Sequence, residues 1–310
     1  MEPILQVKDL SISFTQYGRG TRQVLLPVIQ DLSLTIRPGQ VVAVVGSSGS
    51  GKSLLAHGIL GILPYNSHMA GEITFLGQPL TPKRAEAVRG TEIVLVPQGV
   101  TYLDPLMKVG PQIRKGRRDQ KARQASRTAL KRYGLGEEVE SLYPFELSGG
   151  MARRVLIASA SAEAAPRLII ADEPTPGLDA RSAQRVLGHF RELADGGAGV
   201  LLITHDLELA LTIADRVAVF YAGETVEEAD AADFAAGKLR HPYTRALWNA
   251  LPQNGFVPIP GAQPSPGEVG KGCPFAPRCP KQRPECLSPV SYRELESGLV
   301  RCLYPEGEMV

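Results

Sequence analysis

A glycine-rich loop around residue 50 carries the clearest chemical pattern in this sequence of 310 residues. Its letters, GSSGSGKS, fit the pattern G-x-x-x-x-G-K-[ST] between the apolar run QVVAVV and the helical pattern SLLAHGILGIL. The loop consists of Gly46, Ser47, Ser48, Gly49, Ser50, Gly51, Lys52 and Ser53. Glycines let successive backbone N–H groups converge on phosphate oxygens, and the start of the following helix favours negative charge. We predict that the loop binds nucleotide phosphates, with Lys52 on the β- and γ-phosphates and Ser53 on Mg²⁺.

Two carboxylates form the second pattern, because Asp172 and Glu173 directly follow the apolar run at residues 168–171. Side chains at the C-terminal end of a strand in an α/β sheet face the ligand crevice. By itself, an Asp-Glu pair in this place is often a helix cap. Because the chain also carries the phosphate loop, we predict that Asp172 holds Mg²⁺ and that Glu173 is the general base for the attacking water.

A third motif, LSGGM at residues 147–151, precedes the helical pattern ARRVLIASASA. Its Ser148, Gly149 and Gly150 would lie at the start of that helix, where backbone N–H groups form a second anion site. On its own, the triplet S-G-G is only a weak turn signal. The motif becomes informative through its place between the phosphate loop and the acidic pair.

Short β-branched runs alternate with helical patterns along most of the chain, which predicts an α/β fold. This fold would position the three motifs. Strands of a largely parallel sheet are predicted at residues 5–7, 40–45, 92–96, 167–171, 200–204 and 216–221. Between residues 97 and 162 the strand signal disappears, which predicts a helical insertion.

The apolar runs are far shorter than the ~20 residues that span a bilayer, and no secretory signal opens the sequence. We therefore expect no transmembrane segment and a location in the reducing cytoplasm.

The charge balance argues against a nucleic-acid-binding protein, since 34 basic and 32 acidic residues leave a net charge of only +2. One local basic stretch, residues 114–132, contains nine Lys or Arg residues and a single acid, Asp119. It lacks interleaved aromatic side chains that could stack on bases. It is either a solvated helical face or a surface near anionic lipid headgroups or an acidic loop of a membrane subunit.

The four cysteines, Cys273, Cys279, Cys286 and Cys302, follow 272 residues that contain none. The preceding segment, residues 253–272, has four prolines and five glycines and is typical of a linker. A disulfide framework is disfavoured in a reducing compartment. The spacing C-x5-C-x6-C-x15-C lacks the paired C-x2-C of zinc ribbons, yet four soft ligands suit Zn²⁺ or an iron–sulfur cluster. Four free thiols are the remaining alternative.

The order and intervals of these motifs resemble those of the ATP-binding cassette (ABC) ATPases across residues 5–250. The resemblance implies a P-loop NTPase (RecA-like) core with an antiparallel β subdomain and a helical insertion. It divides the chain into a nucleotide-binding domain at 1–250, with a helical subdomain at about 97–162, and a small Cys-rich C-terminal extension at 251–310.

The resemblance also assigns roles to residues outside the three motifs. Gln98, in VLVPQG, matches the glutamine that senses Mg²⁺ and the γ-phosphate, and Asp179, in PGLDA, matches the aspartate that faces the partner subunit. His205, in LLITHD, matches the switch histidine that contacts the γ-phosphate and the catalytic glutamate. Phe14 matches the aromatic residue that stacks on adenine, with Tyr17 as a competitor and an ordinary inward strand residue as the alternative for Phe14.

Two departures from the family pattern concern coupling rather than chemistry. Gly99 and Val100 follow the glutamine where an acidic residue and a proline are common, and Gly177 stands where alanine or serine is usual. Neither departure removes a catalytic group.

Within the family, several segments resemble the importer branch for peptides and nickel or metallophores. They are LSGGM with its methionine, YLDPLMKVGPQI, HPYTRALWNALP, and GCPFAPRCPKQRPEC followed by VRC. This resemblance implies ATP and Mg²⁺ as cofactors, and a [4Fe-4S] cluster on the four cysteines, favoured over Zn²⁺. It implies a second, different ABC ATPase subunit, two transmembrane permease subunits and an extracytoplasmic solute-binding protein as partners, at the cytoplasmic face of the inner membrane. The expected function is the ATP-hydrolysing subunit of such an importer. The alternative is a soluble ABC ATPase of a cytosolic enzyme assembly of the phosphonate-degradation type.

Overall fold

A computed structural model of the chain describes residues 2–18, 22–162, 166–295 and 298–306. Its strands are β1 (Leu5–Tyr17), β2 (Gln23–Ile36), β3 (Val41–Gly46), β4 (Ser67–Phe75), β5 (Gln78–Pro79), β6 (Ile93–Val96), β7 (Leu168–Asp172), β8 (Gly199–Thr204), β9 (Arg216–Tyr221), β10 (Glu224–Asp230), β11 (Arg293–Leu295) and β12 (Gly298–Val300). Its helices are α1 (Lys52–Leu60), α2 (Pro82–Val88), α3 (Val109–Ile113), α4 (Gln120–Arg132), α5 (Gly149–Ser161), α6 (Ala180–Asp195), α7 (Leu207–Leu211), α8 (Ala231–Ala235) and α9 (Pro242–Asn249).

The larger sheet has the strand order β11-β12-β10-β9-β3-β8-β7-β6 in the described part of the chain. Strand β3 pairs in parallel with β8 and β9, and the pairs β7–β8 and β6–β7 are parallel as well. The β-branched run of β3 is buried throughout, as expected of a central strand covered on both faces. The prediction of an α/β fold is therefore confirmed, but the sheet is mixed, because β9, β10, β12 and β11 pair antiparallel at its other side.

Strand register places the ends of β3, β7 and β8 side by side. Val45 lies opposite Thr204, and Asp172 lies opposite Ile203. Parallel strands end at the same edge of a sheet, so the loops that follow these three strands share one crevice. This register brings the phosphate loop, the acidic pair and the histidine loop together.

The smaller sheet is antiparallel, with the order β2-β1-β4-β5 in the described residues. Apolar side chains from it pack with α1 and with one face of the larger sheet in a common core, to which Ile12, Ile29, Val44 and Ile59 belong. A second core fills the opposite face of the larger sheet and extends through α4, α5 and α6. Helix α1 is therefore packed in the core that joins the two sheets.

The segment between β6 and β7 contains helices and short 3-10 turns within its described residues. The basic stretch runs from the end of α3 through α4, and several arginines of the stretch pair with acids of the same region or of α6. Arg114 binds Glu140 at 2.8 Å, Arg127 binds Glu137 at 3.0 Å, and Arg132 pairs with Glu192. The exposed pairs of Arg127 and Arg132 support the interpretation of the stretch as a solvated helical surface.

Residues near the C-terminus extend the core sheet rather than lying apart from it. Strand β12 pairs antiparallel with β10, where Val300 lies opposite Glu227, and β11 pairs with β12. Three glutamates of β10 are buried at this edge. Glu227 accepts the backbone N–H groups of Arg240 (2.9 Å) and His241 (2.8 Å). Hydrogen bonds and arginine partners make such burial tolerable.

Within the described residues, no helix combines the length and the apolar character needed to cross a bilayer.

Candidate functional site

The phosphate loop follows β3 directly and needs glycine at three positions. A Cβ on Gly46 would lie 2.3 Å from the carbonyl oxygen of Phe220 on β9. Gly49 and Gly51 have φ of +80° and +95°, in the left-handed region that glycine adopts without steric cost. The backbone can therefore turn sharply and begin α1 at Lys52, which leaves N–H groups at the start of the helix for an anion.

Lys52 points back into this loop and holds it together. Its Nζ donates hydrogen bonds to the carbonyl oxygens of Gly46 and Ser47, each at 2.9 Å. Burial lowers the pKa of Lys52, while the nearby carboxylates of Glu173 and Asp172 oppose this shift. The ammonium group thus occupies the place where negatively charged phosphates would be stabilised.

Asp172 ends β7 as a buried carboxylate beside Ser53. Burial raises its pKa, and a hydrogen bond with the Ser53 side chain opposes the rise. Its Oδ1 is buried and has no hydrogen-bond partner among the described residues. An orphaned carboxylate oxygen next to a hydroxyl is a donor set that Mg²⁺ prefers. These residues therefore fit the predicted Mg²⁺ ion.

Glu173 and His205 meet at the crevice. The Nδ1 of His205 lies 2.8 Å from Oε2 of Glu173, and the Glu173 side chain is 8% exposed. Glu173 has φ of +48°, an uncommon value for a residue with a side chain, and its N–H donates to the carbonyl of Ile203 at 2.9 Å. Such a conformation costs ~1–3 kcal/mol and is typical of functional sites. The backbone is thus held in a shape that directs this carboxylate toward the histidine.

Gln98 lies just after β6 with an exposed side chain. Its neighbour Pro97 is tied to α5, because the buried guanidinium of Arg153 donates to the Pro97 carbonyl at 3.0 Å. Burial lowers the pKa of Arg153, and the charges of Glu173 and Asp172 oppose this shift. Sequence reasoning missed Arg153. Its signal was an arginine on the apolar side of the pattern ARRVLIASA.

The LSGGM motif and the PGLDA loop lie beside each other. Ser148 caps α5 by accepting the Met151 N–H at 3.2 Å, and Asp179 caps α6 by accepting the Ser182 N–H at 2.9 Å. A Cβ on Gly150 would lie 3.6 Å from the carbonyl oxygen of Gly177. Gly177, which stands where alanine or serine is usual in the family, has φ of +78°. This left-handed backbone conformation favours glycine.

The aromatic candidates for adenine stacking differ in exposure. Phe14 is partly buried and packs against the core between the two sheets, whereas the Tyr17 side chain is 73% exposed near the end of β1. Either residue therefore remains a candidate for the adenine contact.

All four cysteines line one small cavity with His241. Burial raises the pKa of Cys273 to about 12, and it also raises the pKa of Cys279 and Cys302. Backbone N–H groups two residues downstream bond to these three sulfurs and oppose the shifts. Sulfur atoms supplied with N–H donors fit thiolate ligands of a cluster. In the part of the chain that the structure describes, however, no three Cys, His, Asp or Glu side chains are grouped as a metal site.

Comparison with known proteins identifies the family. A family model described as ABC transporter matches residues 29–176, and one described as oligopeptide/dipeptide transporter, C-terminal region, matches residues 226–286. Oligopeptide transport ATP-binding protein OppD of Escherichia coli is 34% identical over the full chain and 95% of its own length. Dipeptide transport ATP-binding protein DppD of Bacillus subtilis is 36% identical over 97% of this chain and 95% of its own length. OppD of Mycobacterium tuberculosis is 37% identical, and the chain spans about half (49%) of that relative's length.

Solved structures agree with these sequence relatives. An ATP-binding subunit of an ABC transporter superposes with a TM-score of 0.62 at 27% identity, covering 76% of this chain and 93% of that chain. The dimeric bacterial ABC transporter cassette MJ0796 superposes with a TM-score of 0.64 at 25% identity, covering 73% and 98%. The chain therefore belongs to the ABC transporter family, in the branch of the oligopeptide and dipeptide transport ATP-binding proteins.

Proposed function

We propose that the chain is the ATP-hydrolysing subunit of a membrane importer for peptides or related solutes such as metal chelates. The observation that carries this proposal is that Lys52 of the phosphate loop lies near the carboxylates of Asp172 and Glu173, while Glu173 contacts His205. The names of the relatives, oligopeptide and dipeptide transport ATP-binding proteins, support the solute class.

In this proposal, Glu173 takes a proton from the attacking water, and His205 holds the Glu173 carboxylate through the contact at Nδ1. The loop amides and Lys52 stabilise negative charge that develops on the phosphate oxygens. Ser53, Asp172 and Gln98 would hold Mg²⁺, which supplies further charge neutralisation when it is bound. Phe14 or Tyr17 would stack on the adenine.

The LSGGM motif would complete the site of a partner ATPase. Ser148 and Gly149 are exposed at the start of α5, where the first backbone N–H groups of a helix have no partner within it. We propose that ATP lies between residues 46–53 of one subunit and residues 147–151 of a second ABC ATPase, with Asp179 near the interface. Closure and reopening of this dimer would drive transport.

A groove between the core and the helical region would receive the membrane partner. Ile62, Val94, Tyr102 and Leu156 are among its lining residues, and Leu106, four residues after Tyr102 in the sequence, is 87% exposed. An apolar surface of this kind beside Gln98 suits a short helix of a transmembrane permease subunit. The chain would then act at the cytoplasmic face of the inner membrane, in a complex with a solute-binding protein.

Co-purification tests this function against the soluble alternative. The tagged full chain, extracted from its native membranes in detergent, is expected to retain two permease subunits and a second ATPase. Vesicles that contain this complex should take up peptides only when ATP is supplied. Recovery with a soluble enzyme assembly of the phosphonate-degradation type, without membrane proteins, would contradict the proposal.

We further propose that Cys273, Cys279, Cys286 and Cys302 bind a [4Fe-4S] cluster, with Zn²⁺ as the alternative. The cavity that all four cysteines line supports this assignment. The cluster, when bound, would contribute free energy of folding that this small segment lacks by itself.

Anaerobic purification of the full chain tests the cluster. We expect a broad absorption band near ~400 nm and about four iron atoms per chain, the iron content of the proposed [4Fe-4S] cluster on four thiolates. The Cys302→Ser variant should lose most of the iron. Ser288→Ala is the control and should keep it, because Ser288 is an exposed residue two positions after Cys286. Zinc in place of iron would favour the alternative, and the absence of both metals would rule out a metal site.

A further inference from the structure

Ser47, the second residue of the phosphate loop, forms a hydrogen bond with Gln263, which lies 216 positions further along the sequence. Its Oγ donates a hydrogen bond to Oε1 of Gln263, in the segment 253–272 between α9 and the cysteines. We propose that Gln263 and Tyr243 are positioning residues that hold the phosphate loop in the shape that binds ATP.

Tyr243 approaches the loop from α9. Its side chain is 2% exposed, and its ring lies 4.4 Å from that of Tyr221 and 5.3 Å from that of Phe275, measured between ring centroids. Burial raises the pKa of Tyr243, and the nearby side chain and backbone of Ser47 oppose this rise. The ring is thus fixed by packing, and the hydroxyl is placed against the phosphate loop.

The segment that carries Gln263 is anchored by one arginine. Arg278 donates to the carbonyl oxygens of Pro260 (2.7 Å) and Ile259 (3.2 Å) and to the Tyr221 hydroxyl (3.0 Å). Tyr221 ends β9, one residue after Phe220, which lies opposite Gly46. The segment is therefore tied to the same strand end that positions the loop, so Gln263 is held near Ser47.

The consequence for nucleotide binding follows from the place of Ser47. Its carbonyl oxygen accepts a hydrogen bond from Lys52, the cation of the phosphate site. A loop that is already held in place loses less conformational entropy when a ligand binds. Removal of either contact should therefore weaken ATP binding more than it slows the chemical step.

Nucleotide affinity of the full chain tests the proposal, which rests on the proposed ATP site. The probe is a fluorescent, nonhydrolysable ATP analogue with Mg²⁺. We expect Gln263→Ala and Tyr243→Phe each to weaken binding about three- to tenfold, the effect of one net hydrogen bond. In ATPase assays, KM should rise by a similar factor while kcat changes less than twofold. Gln253→Ala is the matched control, because Gln253 is an exposed glutamine of the same segment.

A double-mutant cycle separates positioning from general destabilisation. Once Ser47→Ala has removed the hydroxyl, Gln263→Ala should cause little further loss of affinity. Equal losses with and without Ser47→Ala, or unchanged or tighter binding by Gln263→Ala and Tyr243→Phe, would overturn the proposal. If the parent chain itself fails to bind the analogue, the proposed ATP site is wrong, so the two failures are distinguishable.

Discussion

Replacing Glu173 by glutamine is expected to lower steady-state ATP hydrolysis at least about a hundredfold, because a positioned general base contributes ~10²–10⁴-fold to the rate. The amide keeps the size of the side chain and can still contact His205, but it cannot accept a proton from water at neutral pH. ATP binding should persist, since Lys52 and the loop amides are unchanged. The variant should therefore accumulate as an ATP-bound dimer, measured by size-exclusion chromatography with MgATP.

Glu208→Gln is the matched control for this experiment. Glu208 lies exposed in the first turn of α7, three residues after His205, so the substitution changes the same charge near the same loop. It should leave hydrolysis within about twofold of the parent, as is usual for an exposed surface substitution. Hydrolysis by Glu173→Gln at the parental rate would show that another group is the base.

The parts of the site that sequence could predict are local ones. The phosphate loop needs only consecutive residues, because strand, glycines, lysine and helix follow one another between positions 41 and 60. The contact of Glu173 with His205, which joins residues 32 positions apart, was expected from the family resemblance, and the structure shows these side chains at 2.8 Å. Parallel pairing explains the result, since both residues follow adjacent strands.

Other elements could not be predicted because their sequences are polar or rich in proline and glycine. Strand β10 reads ETVEEAD, and its buried glutamates pair with Arg216, Arg240 and Arg301 from other parts of the chain. Local reasoning treats such a run as exposed, so neither β10 nor its pairing with β12 could be predicted. The contact between Ser47 and Gln263 is equally nonlocal, and the segment around Gln263 reads as a linker because proline and glycine dominate it.

Substitution of Lys52 by alanine is expected to weaken ATP binding at least about tenfold and to reduce hydrolysis to background. A hydrogen bond to a charged group contributes ~1.5–3 kcal/mol, and Lys52 is the cation of the phosphate loop. Its removal also leaves the carbonyl oxygens of Gly46 and Ser47 without their donor. We therefore expect a lower melting temperature together with the loss of affinity, measured by calorimetry and by nucleotide titration.

Lys83→Ala separates these effects from the general loss of a lysine. Lys83 is exposed on α2, so its removal should change neither nucleotide affinity nor melting temperature measurably. If Lys52→Ala only lowers the melting temperature while affinity at low temperature stays parental, the lysine would be a structural brace for the loop carbonyls. If both quantities fall, the same ammonium group serves the empty loop and the bound phosphate. The burial of Lys52 beside Asp172 and Glu173 favours the second outcome, because a cation that only braced the loop would not need to face two carboxylates.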